Sequence, residues 1–267
     1  MGKITEIKKL KKLYRIDLEN CTEDKIYVCD DTIVHFILIT GKTITDEELI
    51  SIINFDQFAR GKSLALYYIS FKPRTCAEVR KYLYEHDILE EQASEILSVL
   101  TENKLIDDKN YAENFIQGKI SMSTAGPYQI KQKLYLKGIN KSIIEQALQE
   151  LYTEEKQIDV AYKLAEKQVR STAHKLPLNQ LKQKIIQTLT TKGFSYSVSS
   201  IALDSLELES DEDNEMTLLI GELSKADHRY SRNYDGHERE QRIIQHLVRK
   251  GFSYTMIRSA LQDYPLE

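Results

Sequence analysis

The chain has 267 residues, 41% hydrophobic and 29% charged, with three cysteines, no tryptophan and a net charge of −4. That composition belongs to a folded protein and excludes a disordered one, and the small net charge argues against a general nucleic-acid coat. The longest apolar run, Ile33 to Ile39, is broken by His35 and is shorter than the roughly 18 residues of a bilayer span; no apolar signal core follows the early lysines, so a cytoplasmic chain is expected.

In chain order, "KITEI", "LYRIDL" and "KIYVCDDTIVHFILI" are rich in β-branched and aromatic residues and are parted by the turn-prone "ENCTED" and "CDDT". They predict a small antiparallel sheet over the first 57 residues. Thr45 and Glu48 then stand at capping-box spacing ahead of Leu49, Ile52 and Ile53, which predicts a short helix leaving the sheet. From about Phe55 onward the apolar period becomes 3.6, so everything that follows is expected to be helical.

Across that helical region a single string recurs: "LYEHDILEEQASEIL" at Leu83, "LYLKGINKSIIEQAL" at Leu134, "LTTKGFSYSVSSIAL" at Leu189 and "LVRKGFSYTMIRSAL" at Leu247. Aligned apolar positions are Val79, Ile130, Ile185 and Ile243, then Leu83, Leu134, Leu189 and Leu247, one turn apart on one face. After the bend come Ile88, Ile139, Phe194 and Phe252, and on the next helix Leu97, Leu148, Leu203 and Leu261. Gly138, Gly193 and Gly251 sit where a chain leaving a helix turns left-handed, a conformation glycine adopts without strain; Asp87 holds that place in the first copy. Asn140, Ser195 and Ser253 follow as N-caps of the second helix.

A longer helical stretch lies between successive corners, so the unit is three helices, repeating at offsets of 51, 55 and 58 residues. Units too small to bury their own apolar faces must stack on neighbours. The expected fold is therefore mainly α: an elongated array of about four tandem three-helix repeats preceded by a small antiparallel β subdomain. The expected boundaries are 1–57 for the subdomain and its short helix, then repeats over 58–106, 107–153, 154–209 and 210–267.

Cys21, Cys29 and Cys76 have no metal or redox spacing and read as reduced, mostly buried thiols. His228, His237 and His246 are nine apart, without the i, i+4 spacing of a helical metal pair. No phosphate loop or nucleophile elbow is present, and helix capping accounts for at least one of Asp107 and Asp108. No enzyme and no cofactor are expected. Most of the 16 tyrosines, among them Tyr67, Tyr82, Tyr111 and Tyr162, fall where a repeat needs packing residues.

Charge is unevenly placed. Lys and Arg number thirteen against six Asp and Glu over 119–192, then four against twelve over 200–240. Lys156, Lys163, Lys167 and Arg170 are spaced 7, 4 and 3 on one helix, a stripe opposite the apolar Ile158, Ala161, Ala165 and Val169. Lys133 and Lys137 make an i, i+4 pair before Gly138, while Lys182 and Lys184 carry the charge onward. Such a stripe is either a solvated helix face or a surface for an acidic protein or a phosphate backbone. A helix-turn-helix DNA-binding transcription regulator, with Arg258 on its second helix, is the alternative reading of the corner. Against it, Ile143–Leu151 and Val198–Leu206 contain no basic residue with which to read bases.

The strings "KPRTCAEVRKYL", "LIDDKNYAENF" and "GPYQIKQKLYLKGI" together resemble the RecX family of recombination regulators, over Phe55 to about Leu151, with the later "KGF" repeats matching more loosely. The first 57 residues resemble the amino-terminal extension of its longer members. What the resemblance implies is a non-enzymatic, monomeric modulator that binds the RecA filament on DNA and limits filament growth, ATP hydrolysis and strand exchange, with at most weak, sequence-blind DNA binding of its own. Carried over by position, Arg74 and Arg80 in the first module and Lys131, Lys133 and Lys137 in the second become contact positions. Asp87 in place of glycine, the fourth repeat and the acidic "LELESDEDNE" depart from the pattern; the acidic block is expected to face solvent or a basic protein surface.

Overall fold

The structure, a computed structural model, describes residues 2–264. The chain divides into two compact units, one made of residues up to Ala112 with Leu134–Ile144, the other of Glu113–Lys133 with residues from Glu145 onward. Among the described residues no helix is long and apolar enough to cross a membrane.

The first unit opens with the expected small sheet, β1 (Gly2–Lys9), β2 (Tyr14–Glu19), β3 (Lys25–Val28) and β4 (Thr43–Ile44), antiparallel in the order β3-β2-β1-β4. Ile4 opposes Leu18 and Ile7 opposes Ile16, with a bulge between Ile4 and Glu6. The alternation of strand side chains puts Ile4, Ile16, Leu18, Ile26 and Val28 on one buried face, covered by Leu38, Ile44, Leu49 and Ile52.

One stretch of this region differs from its propensity. The β-branched run after Val28 forms helix α1 (Asp30–His35) instead of continuing as strand. Asp30 and Asp31 favour the positive end of a helix in its first turn, and the buried Asp56 fixes the start by accepting from the Cys29 N–H (2.6 Å) and the Thr32 hydroxyl (3.0 Å). Local propensity gives way to a carboxylate 27 residues away.

Thr45 caps the next helix as expected, accepting from the Glu48 N–H at 3.1 Å. Glu48 completes no box, because its carboxylate pairs with Lys42 at 2.7 Å. That helix is not short: α2 runs unbroken from Asp46 to Ser70, since no proline interrupts it and Gly61 is carried within it. Helices α3 (Cys76–Tyr84) and α4 (Glu90–Glu102) fold back on it around Ala65, Val79, Leu83, Ile88, Ile96 and Leu100.

Helices α5 (Asp108–Ser121), α6 (Pro127–Leu136) and α7 (Lys141–Leu151) form the next trio, each contributing residues to both units. The second unit continues with α8 (Glu154–Thr172), α9 (Leu178–Thr191) and α10 (Tyr196–Asp204), then α11 (Glu212–Tyr230), α12 (Gly236–Arg249) and α13 (Tyr254–Asp263). In the last trio Leu219, Leu223, Ile243, Leu247, Phe252 and Ile257 make one core. On α8 Ala161 and Ala165 are buried with Val160, whereas Ile158 and Val169 are half-buried.

All four corners have one backbone form. Asp87, Gly138, Gly193 and Gly251 have φ of +60, +78, +93 and +92°. The following apolar residue folds back onto the last turn: the N–H groups of Ile88, Ile139, Phe194 and Phe252 donate to the carbonyls of Leu83, Leu134, Leu189 and Leu247 at 3.1 to 3.3 Å. Ser195 and Ser253 cap the second helices through the Val198 and Met256 N–H groups, and Asn140 through that of Ser142. The final leucine position is less uniform: Leu97 is buried, while Leu148, Leu203 and Leu261 are half-buried. The cysteines are free thiols, half-buried and not fully enclosed. Tyr67 is exposed, touching Phe71 edge-on, in contrast to the packing role expected of it.

Candidate functional site

The corners do more than reverse the chain. Each of the last three meets the first turn of the middle helix in the preceding trio. At α3, Thr75 accepts from the Glu78 N–H, Glu78 returns the bond to the Thr75 N–H, and the Thr75 hydroxyl donates to the carbonyl of Lys137 at 2.7 Å. Gly138 then lies against Ala77, leaving no room for a Cβ. At α6, the Gly126 and Tyr128 N–H groups donate to the carbonyls of Lys192 and Gly193 at 2.8 and 3.1 Å, and the Gln129 amide donates to that of Thr191 at 2.7 Å. At α9, the Asn179 amide donates to the carbonyl of Gly251 at 3.3 Å, beside Gln180.

Orphan carbonyls at each corner are thus met by groups at another helix's start, backbone N–H groups at α6 and a side chain at α3 and at α9, with the two helix dipoles in a favourable sense. A carboxylate from the start of the next trio completes two of the three joints. Asp108 accepts from the Cys76 N–H at 2.9 Å, and Glu215 from the Leu178 N–H at 2.6 Å. The corresponding first residue of α6 is Pro127, which has no N–H to satisfy. Burial pushes the Asp108 carboxyl up despite the bond from Cys76. Asp107 caps its own helix through the Asn110 N–H at 2.9 Å, so both aspartates serve helix starts. Buried Tyr152 supports the α6 joint, its hydroxyl donating to the carbonyl of Ala125 at 3.0 Å, and burial raises its phenol.

The basic residues divide according to these joints. Lys137 pairs with Glu78 at 2.6 Å and Lys131 with Glu145 at 2.6 Å; Arg80 pairs with Glu90 at 3.0 Å and Arg170 with Glu166 at 2.8 Å. Lys156 donates to the carbonyl of Leu151, the last residue of α7. Arg74 sits over Tyr68, its guanidinium carbon 3.9 Å from the ring centre, and Tyr68 in turn stacks on Tyr82 at 4.1 Å. Lys133, Lys163, Lys167 and Lys184 are exposed and Lys182 is half-buried; none of the five has an ion pair among the described residues. Of the eleven candidate cations these five are therefore free to meet a partner, with Arg74, Arg80, Lys131, Lys137, Lys156 and Arg170 engaged inside the chain.

Pairing sets the titration of the α3 joint. Burial alone would raise Glu78, but the bonds from Lys137 and the Thr75 N–H outweigh it and hold the carboxyl below its ordinary 4.5. The bond to Glu78 raises Lys137 above its ordinary 10.5. The stabilisation from Glu78 is complete above pH 4.5 and is lost as pH falls through the depressed value; that from Lys137 is complete below pH 10.5 and is lost as pH rises through the raised one. Glu78→Gln is expected to lower the urea midpoint at about pH 6, with a gap that narrows when the measurement is repeated at a pH below the ordinary 4.5. An equal gap at both pH values would show that the charge of Glu78 contributes nothing.

Comparison with known proteins follows the same trios. The family models for the first, second and third three-helix domains of RecX match residues 62–100, 107–148, and both 154–203 and 213–261. The regulatory protein RecX of Lactococcus lactis subsp. cremoris is 64% identical over 265 residues, 99% of this chain and 98% of that one. The chain belongs to the RecX family. The regulatory protein RecX of Streptococcus agalactiae serotype Ia is 44% identical over 98% of this chain and 99% of its own. Among solved structures, a crystal structure of regulatory protein RecX matches with a TM-score of 0.60 at 35% identity, covering 76% of this chain and all of that one. That of RecX from Lactobacillus salivarius matches at 0.55 and 39%, covering 58% of this chain and 99% of that one.

Within the RecX pattern the fourth repeat is no departure. It is a second copy of the third domain, and the acidic segment is the connection between the copies. Asp87 differs from the other corners for a structural reason: no earlier trio exists to press on it, so a side chain fits where the later corners require glycine. Sequence reasoning missed the joints, although the Thr75-to-Glu78 spacing and Pro127 directly after Gly126 signal two of the helix starts.

Proposed function

We propose that this RecX-family chain is a non-catalytic regulator of the RecA nucleoprotein filament that limits filament growth, ATP turnover and strand exchange. The observation that carries the reading is the run of RecX three-helix domains over residues 62–261, bearing exposed cations that the chain's own carboxylates leave free. A filament on DNA presents phosphates, and exposed lysines that meet a phosphate chain gain by releasing its counterions. Lys133, Lys163, Lys167 and Lys184 are the contact residues of this proposal, with Lys182 beside them.

The reading of the corners as DNA-reading helix-turn-helix units has less support. Gly138, Gly193 and Gly251 are pressed against neighbouring helix starts, and Arg258 on α13 is committed to Glu240 at 2.5 Å. Added in rising amounts to RecA on single-stranded DNA, the chain is expected to depress the DNA-dependent ATPase, and Lys163→Glu with Lys167→Glu to raise the amount required by about tenfold, as loss of two charge contacts implies. ATPase that is indifferent to the unaltered chain rejects the proposal; equal potency of the charge-reversed chain removes α8 from the contact.

A further inference from the structure

Three joints use three helix starts and three corners, which leaves one of each unused among the described residues. The last middle helix, α12, has no later corner to meet, and the first corner has no earlier middle helix. Thr75, Gly126 and Pro177, the residues just before α3, α6 and α9, are buried, whereas Asp235 before α12 is exposed. Asp235 makes no side-chain cap, and the Gly236, His237 and Glu238 N–H groups have no acceptor among the described residues.

At the first corner the deficit is of the opposite kind. Glu85, His86 and Asp87 hold the places of Thr191, Lys192 and Gly193, whose carbonyls all accept from the start of α6. Their own carbonyls accept nothing among the described residues. These three residues line instead a cleft of about 630 Å³, bounded by the β1–β2 turn, the start of α1 and the middle of α2. A helix turn about 10 to 12 Å across and about 5.4 Å in pitch occupies roughly 400 to 600 Å³, so one turn fits. The carboxylates of the cleft, Asp30, Asp31, Glu85 and Asp87, outnumber Lys12 and Arg60, and they add to the negative end of α3. What suits that cleft is the positive start of another helix.

The two unused halves match in detail. Glu238 is the third residue of α12 as Glu78 is of α3, and His86 precedes its corner residue as Lys137 does, so the pair that crosses the α3 joint has its counterpart. Side chain and glycine change places. The closed joints set a corner glycine against Ala77, Gln129 or Gln180 on the helix, whereas the open halves have Asp87 at the corner and, on the helix, Gly236 with nothing within 4 Å of an added Cβ. An aspartate at the corner can accept from incoming N–H groups, as Asp108 and Glu215 do in the closed joints.

We infer that copies of this chain associate head to tail, the start of α12 in one copy seating in the first-corner cleft of the next and making a fourth joint. The contact is heterologous, so an open pair keeps one free cleft and one free helix start. A joint of one helix turn is far smaller than a stable interface, and the monomer expected from the sequence is then the dilute form.

Sedimentation equilibrium without RecA or DNA tests the inference independently of the proposed function. The weight-average mass of the unaltered chain is expected to rise from 31.0 kDa to about twice that value or more between about 1 and about 300 µM. Ser63→Trp fills the cleft from an exposed position on α2, and His237→Glu sets a carboxylate against those of the cleft while suiting the start of α12. Each substitution is expected to hold the mass at that of one chain. Mixed in equal amounts, the two altered chains are expected to stop at a dimer, because each keeps the half-joint that the other has lost. A constant mass for the unaltered chain overturns the inference, whatever the substitutions do to folding. Association that survives both substitutions, or a mixture that stays monomeric while urea midpoints show both chains folded, overturns it as well.

Discussion

Gly193→Ala is expected to destabilise the chain by about 2 to 5 kcal/mol, combining the strain of a left-handed alanine with forced repacking. At φ of +93° a Cβ built on Gly193 comes within 2.6 Å of the Gln129 backbone nitrogen, and one on Gly126 falls 2.6 Å from the Gly193 carbonyl oxygen. Backbone on both sides cannot move aside as a flexible side chain would, so the α6 joint must open. Its hydrogen bonds from Gly126, Tyr128 and Gln129 go with it. Gly118→Ala and Gly221→Ala are the controls: both positions lie within helices with nothing within 4 Å of the added carbon, and alanine is expected to stabilise by about 0.5 to 1 kcal/mol. Urea midpoints at unchanged slope measure all three. A Gly193→Ala chain as stable as the original would mean that the corner does not need its neighbour.

The second large effect concerns the last trio. Arg239 of α12 and Asp227 of α11 form an ion pair with side chains 9% and 7% exposed. Burying two charges is costly, and their attraction offsets the cost only while both are present. Asp227→Leu alone is expected to cost about 3 to 5 kcal/mol, because a guanidinium is left enclosed without this carboxylate. Asp227→Leu combined with Arg239→Met is expected to recover most of that loss, since an apolar pair of similar volume replaces a buried ion pair at little cost. Denaturation of the two single variants and the double variant gives the coupling directly. Additive losses would show that the pair acts as two unrelated groups.

The sequence reveals whatever is set by neighbours a few residues apart. The 3.6 period at Val79 and Leu83 and its three later copies, the left-handed turn at each corner and the serine caps at Ser195 and Ser253 all stand in the structure as their spacing requires. Features decided by distant partners were not legible. Asp56 turns a strand-like run into α1, and the close approach of Gly193 to Gln129 gives a second reason for glycine besides its backbone angle. The contact surface was legible in outline only. Charge spacing marks the stripe on α8, and Glu166 four residues before Arg170 signals that pair, but that Lys137 is engaged by Glu78, 59 residues away, was not legible.

The joints also impose an order of synthesis. A nascent chain emerges amino terminus first, and segments fold as they clear the ribosome. The first turn of α3 finds its last acceptor in Lys137, that of α6 in Thr191 to Gly193, and that of α9 in Gly251. In each of the first three trios the central helix therefore waits for an acceptor 62 to 72 residues further along the chain, several seconds of translation at ordinary elongation rates.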